Sequence, residues 1–123
     1  MIVQVREPEF LEILGAAPEL KLVAETDAHE GGVYHPDDNE FYFSSVRGPV
    51  TVDGEEKTNT ALRKVSLSTG EVTTVFPVTD VANGMVLDRE GFLLICQQGQ
   101  GTKPGYIQRV DLKTLSTSVV ADN

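Results

Sequence analysis

Two side chains that offer oxygen ligands stand at matching points of two similar segments. Glu30 lies near the start of HEGGVYHPDDNEFYFSS (29–45), and Asn83 lies near the start of ANGMVLDREGFLLICQQ (82–98). A glycine follows each of them, and an apolar run follows the glycine. Carboxylate and amide oxygens are hard ligands, and Ca²⁺ binds about 6–8 oxygen atoms in proteins. If the two segments converge in the fold, this pair is a candidate cation or substrate site.

His29 stands directly before Glu30 and is a third candidate, because histidine titrates near neutral pH. Side chains alternate along a strand, however, so His29 and Glu30 are expected to point to opposite sides. Each candidate also has a plainer interpretation. Glu30 could be an exposed loop carboxylate, and Asn83 opens an Asn-Gly dipeptide that is common in turns. Both interpretations stay open at this point.

The elements that would position these residues form an internal repeat. Each segment has two apolar runs separated by turn residues, the pattern of a β-hairpin. Downstream, ALRKVSLSTGEVTTV (61–75) aligns with YIQRVDLKTLSTSVV (106–120) without a gap. Four strands per copy, at a period of about fifty residues, predict two blades of a β-propeller. In such a fold the residue before each innermost strand lies at the mouth of the central channel, where Glu30 and Asn83 would meet.

The repeat divides the chain into a lead-in and two blades. The lead-in, residues 1–28, is expected to hold a short helix over 8–14 and an outer strand over 20–25, after a possible strand over 2–5. Blade one spans 29–80 and blade two spans 81–123. The predicted strands of blade one are 31–35, 40–46, 62–67 and 72–78. Those of blade two are 84–87, 92–97, 106–112 and 116–121. A polar loop is predicted over 47–60.

Two blades cannot close a ring, since propellers use roughly 4–8 blades. We therefore expect either the N-terminal part of a longer propeller, which we favour, or self-association of several copies.

The composition argues against one class of binding partner. A net charge of −9 with ten scattered basic residues argues against nucleic acid. Cys96 lies in an apolar run and is expected to be a small buried residue. With neither a signal peptide nor a membrane segment visible, a soluble cytoplasmic protein is expected.

The segments AHEGGVYHPDDNEFYFSS and ANGMVLDREGFLLICQQG resemble the first and second blades of the SMP-30/gluconolactonase-like lactonase family. The lead-in PEFLEILGAAPELKLVAET is similar to that of its fungal-type lactonohydrolase branch. The resemblance covers nearly the whole chain. It departs from the family pattern near the end of blade two, where Gln97 and Gln98 replace the usual acidic residue, and the later blades that carry the other metal ligands are not in this sequence.

The resemblance implies an all-β, six-bladed propeller that hydrolyses a small-molecule lactone with a divalent metal ion, Ca²⁺ by preference. It implies that Glu30 is the metal ligand of the first blade, while Asn83 and His29 line the channel or orient substrate. The general base would lie outside this sequence. The alternative is a propeller that binds a ligand or serves as a scaffold without catalysis, because fold alone does not fix function.

Overall fold

The computed structural model describes residues 4–122, and these residues form an all-β fold with one short helix, as the sequence predicts. The helix α1 spans Phe10–Leu14. The strands are β1 Ala28–His35, β2 Glu40–Ser45, β3 Gly48–Val52, β4 Glu55–Asn59, β5 Leu62–Ser66, β6 Val72–Phe76, β7 Ala82–Leu87, β8 Leu93–Gln97, β9 Tyr106–Val110 and β10 Thr117–Asp122.

The strands build two four-stranded antiparallel sheets and one hairpin. The first sheet has the order β1-β2-β5-β6, and the second runs β7-β8-β9-β10 in the same sense. The hairpin of β3 and β4 is inserted between β2 and β5. The eight predicted strands of the two repeats are thus all present, and only their ends differ. This agreement follows from the turns, whose glycines and Asn39 adopt the positive φ angles that tight reversals need.

The core lies between the two sheets, and β1 lies next to β7. Tyr42 and Leu62 come from one face of the first sheet, while Leu93, Ile95 and Val110 come from the facing side of the second. Leu62, Leu93, Ile95 and Val110 are fully buried. Complete burial of such a side chain stabilises a fold by roughly 1.5–3 kcal/mol. The packing of the two sheets against each other therefore stabilises the fold.

The opposite face of the second sheet has no covering layer among the described residues. Val86, Leu94 and Ile107 lie on it, since Val86 pairs with Leu94 and the neighbouring Cys96 pairs with Ile107. Val86 is 57% exposed. Cys96 is also exposed, so the expectation of a buried cysteine is wrong. The apolar run 93–96 lies in β8, whose side chains alternate between the core and the uncovered face of the sheet. Cys96 points to the uncovered face.

The predicted polar loop over 47–60 is wrong as well, because β3 and β4 form a regular hairpin there. Asp53 and Gly54 connect the two strands with φ angles of 52° and 79°. Two consecutive positive φ angles are the signature of a type I′ turn, and Asp-Gly is one of its preferred dipeptides. The sequence did contain this signal, which the many charged residues of the segment obscured.

In the lead-in, the predicted outer strand over 20–25 is wrong. Residues 20–25 form no strand and pair with neither sheet in the described part of the chain. Instead the Val23 carbonyl lies against Gly70 in the β5–β6 turn. The helix begins at Phe10, two residues after Pro8. The possible strand over 2–5 falls partly outside the described residues. In the described part of the chain, no helix has the length and apolar character required to cross a membrane.

Candidate functional site

β1 and β7 begin side by side, and a cavity of about 110 Å³ opens at this edge, which we call the mouth. All three residues singled out from the sequence, Glu30, Asn83 and His29, line it. The other lining residues are Arg47, Thr60, Val81, Ala82 and Gln98. The structure therefore brings together the equivalent positions of the two repeats, while the roles assigned to them stay predictions.

Hydrogen bonds between the sheets fix the backbone around Asn83. The Ser44 hydroxyl donates to the Asn83 carbonyl oxygen at 2.8 Å, and the Thr60 hydroxyl donates to the Ala82 carbonyl oxygen at 3.0 Å. Ser44 and Thr60 are both buried. Hydrogen bonds in a buried setting hold their partners firmly, because an unpaired buried polar group is costly. The start of β7 is thus held in a defined position against the first sheet.

His29 and Glu30 lie on the same cavity, contrary to the expectation from strand alternation. The pairing of β1 with β2 shifts register between Ala28 and Glu30 and again between Glu30 and Val33. Such β-bulges redirect side chains, and they are common near sheet edges and functional sites. The His29 Nε2 atom lies 3.7 Å from Glu30 Oε1, and the two side chains are 56% and 45% exposed. Both can therefore reach a ligand in the mouth.

Val81 carries backbone strain at the floor of the mouth. Its φ angle is 61°, a conformation that β-branched residues rarely adopt. The buried Asn59 side chain supports this conformation. Its Oδ1 atom accepts hydrogen bonds from the Thr60 amide at 2.7 Å, the Thr79 amide at 3.2 Å and the Val81 amide at 3.4 Å. Strained residues held by a surrounding network are typical of binding and catalytic sites.

Arg47 and Gln98 are two mouth residues that sequence reasoning missed. Arg47 follows β2 and Gln98 follows β8, and an Arg47 Nη2–H donates to Gln98 Oε1 across the junction of the sheets. The repeat nevertheless indicated that both residues lie at this edge. In an antiparallel hairpin the end of the second strand lies beside the start of the first, so residues just after β2 and β8 belong to the same edge as Glu30 and Asn83.

A cluster of charges lies beside the mouth, at Asp80. The Asp80 carboxylate accepts hydrogen bonds from Lys103 Nζ and the Tyr106 hydroxyl. Partial burial by itself raises the pKa of the Asp80 carboxyl, but these two hydrogen bonds and the Lys103 charge outweigh it, so the pKa lies below its usual value. The same contact raises the pKa of Lys103, and burial with the Asp80 hydrogen bond raises that of Tyr106.

Two side chains at the mouth carry oxygen donors. Glu30 supplies a carboxylate and Asn83 an amide, both oxygen donors of the type that Ca²⁺ prefers. Within residues 4–122, however, no group of three His, Cys, Asp or Glu residues is placed to hold a metal ion. The donor chemistry is suitable, and the number of donors is too small for a complete site.

Comparisons with known proteins add no relative: no family model matches the chain, and neither the curated proteins nor the solved structures contain a match.

Proposed function

We propose that the two sheets are adjacent blades of a β-propeller, in which a further sheet covers the outer face of the second. The repeat supports this arrangement residue by residue. Val33, Tyr42 and Leu62 lie on the face of the first sheet that packs against the second. Their equivalents by alignment and strand register are Val86, Leu94 and Ile107, which form the uncovered face. The apolar residues that pack the first sheet against the second therefore have apolar counterparts on the uncovered face of the second sheet.

We further propose that this propeller is a divalent-metal-dependent lactone hydrolase. The observation that carries the proposal is the convergence of Glu30 and Asn83, from equivalent positions of two repeats, on one cavity at adjoining strand ends. A bound Ca²⁺ would act as a Lewis acid on the lactone carbonyl and lower the pKa of a bound water. The resemblance of both segments to gluconolactonase-like blades supports the same assignment.

The residues of this chain then have distinct roles. Glu30 contributes negative charge and one ligand to the cation, and its exposed carboxylate is free to face the channel. Asn83, whose backbone Ser44 holds in place, orients substrate with its amide. His29, close to Glu30, lines the channel. The other ligands and the general base come from the sheets that complete the ring.

A second candidate is a propeller that binds a ligand without turnover. The small number of ionisable groups at the mouth favours it, because among the described residues only Glu30 and His29 could take part in proton transfer there. The two functions differ in one property. A lactonase requires a water activated next to the substrate carbonyl, whereas a binding protein does not.

The experiment is a lactone-hydrolysis assay on the propeller that contains these two sheets. A panel of five- and six-membered lactones is followed by proton release, with Ca²⁺ present and after chelation. Metal-dependent hydrolysis above the spontaneous rate is expected for at least one lactone. Ligand binding with no hydrolysis in either condition would establish the non-catalytic alternative instead.

A further inference from the structure

Among the described residues Arg47 has no acidic partner, unlike two arginines of the sheets. Arg63 pairs with Asp27 at 3.2 Å, and Arg109 pairs with Asp88 at 2.9 Å. Within residues 4–122 Arg47 forms no ion pair, and its guanidinium is held by the neutral amide of Gln98. It nevertheless lies at the mouth, in a chain whose net charge is −9. This cation therefore lies at the mouth without being neutralised by a direct contact with an acidic side chain.

The guanidinium retains most of its hydrogen-bonding capacity. Arginine carries five N–H donors in a planar fork, which matches the two oxygens of a carboxylate. One donor is used by Gln98, so others remain for a ligand in the cavity. Arg47 and Gln98 are both exposed, so the guanidinium is accessible to a ligand from solvent. The geometry favours recognition of an anion over a neutral group.

We propose that Arg47, oriented by Gln98, is a specificity-determining residue that binds a carboxylate on the substrate. The preferred substrates are then lactones that carry a free carboxylate in addition to the ring ester. This inference rests on the proposed lactonase function, whose site it shares. Glu30 lines the same cavity and repels a carboxylate unless a cation neutralises it, so Ca²⁺ and Arg47 should act together on the anionic ligand.

The test compares two lactones of the same ring size, one with a carboxylate substituent and one without. Arg47→Gln should lower kcat/KM for the carboxylated lactone by roughly tenfold to a hundredfold, the range expected for a hydrogen bond to a charged group. It should change kcat/KM for the neutral lactone by less than about twofold. Gln98→Ala should give a smaller loss for the carboxylated lactone alone, because it removes the orienting contact and not the charge.

Lys113→Gln is the matched control, since it removes one positive charge from the turn between β9 and β10, at the opposite end of the second sheet from the mouth. It should leave the preference between the two lactones unchanged. An equal change for both lactones in Arg47→Gln, or the same loss of preference in Lys113→Gln, would overturn the role of Arg47.

A binding measurement separates this inference from the lactonase function. Gluconate, a hydroxy-carboxylate, is titrated calorimetrically into the protein in CaCl₂, with sorbitol as the uncharged control. Wild type should bind gluconate and not sorbitol, and Arg47→Gln should weaken gluconate binding by about tenfold or more. If this holds while no lactone is hydrolysed, the anion site stands and the lactonase function fails. Equal gluconate affinity in wild type and Arg47→Gln contradicts the anion site whatever the outcome of the lactone assay.

Discussion

Gly31 lies so close to Asn83 that a Cβ atom added to the glycine would be 2.5 Å from the Asn83 carbonyl oxygen. Gly31 also has a φ angle of 72°, in the left-handed region. Its equivalent in the second repeat, Gly84, has no positive φ angle, and none of residues 4–122 other than its chain neighbours comes within 4 Å of such a Cβ. At this position the first repeat packs against the second sheet, whereas the second repeat faces open space. The faces of the two sheets differ in the same way.

Gly31→Ala should destabilise the fold strongly. The left-handed conformation costs a non-glycine residue roughly 1–2 kcal/mol, and forcing the sheets apart adds about 1–3 kcal/mol. Gly84→Ala is the matched control and should change the free energy of unfolding by less than about 0.5 kcal/mol in the two-sheet chain. Chemical denaturation of the two variants measures both effects. Similar stabilities for the two variants would mean that β1 and β7 do not approach each other as described.

Cys96 provides a probe of the uncovered face, because it is the only cysteine in the chain. Its equivalent by strand register, Ser44, contacts the neighbouring sheet. We expect maleimide to label Cys96 readily in dilute solution and more slowly as protein concentration rises, since an exposed apolar sheet face promotes association. Labelling at several concentrations, with light scattering in parallel, tests this.

Val86→Lys should remove the protection of Cys96 and keep the chain monomeric, because it places a charge on the same face. Leu115→Lys is the control, as Leu115 is an exposed apolar residue in the β9–β10 turn. A stable wild-type monomer whose Cys96 reacts equally fast at every concentration would show that this face does not bind a partner sheet.

Asn59 should be essential for the shape of the mouth, although it does not line the cavity. Asn59→Ala leaves the buried Thr60 and Val81 amides and the part-buried Thr79 amide without their acceptor, and an orphaned buried donor costs about 1–3 kcal/mol. The free energy of unfolding should therefore fall by at least about 2 kcal/mol. Gln100→Ala, which removes an amide from an exposed hydrogen bond, should change it by less than about 0.5 kcal/mol. Equal losses in the two variants would argue against the buried network.

Lowering the pH should reduce the free energy of unfolding, partly through Asp80. Since its pKa is lowered in the folded state, its stabilising contribution is present above the unfolded-state pKa of about 3.9 and is lost as pH falls through the folded value. Asp80→Asn should therefore be less stable than wild type at pH 7, and the difference should shrink below about pH 4. Urea unfolding across this range measures it. A difference independent of pH would show that the Asp80 charge is not responsible.

The sequence predicts the two sheets well because a repeat reports the same strand pattern twice. It predicts the site less completely. That Glu30 and Asn83 share a cavity follows from repeat position, but His29 joins them only because β1 is bulged, and a bulge depends on the register between two strands. The contact of Arg47 with Gln98 depends on how closely the sheets pack. The alternating pattern of residues 20–25 suggests a strand, yet a strand also needs a partner edge, which a local pattern does not contain.

The most direct test of the metal-dependent lactonase is the Glu30→Gln variant of the propeller that contains these two sheets. Glutamine keeps the size of the side chain and removes the charge that attracts a divalent cation. Calorimetric Ca²⁺ titration and lactone hydrolysis are measured on the same wild-type and Glu30→Gln preparations, with circular dichroism as a check on folding. We predict that Ca²⁺ affinity and turnover both fall by at least about tenfold while the fold is retained. Unchanged Ca²⁺ affinity together with unchanged turnover in a folded Glu30→Gln protein would contradict the assignment and leave Glu30 as a solvated carboxylate at the edge of the sheet.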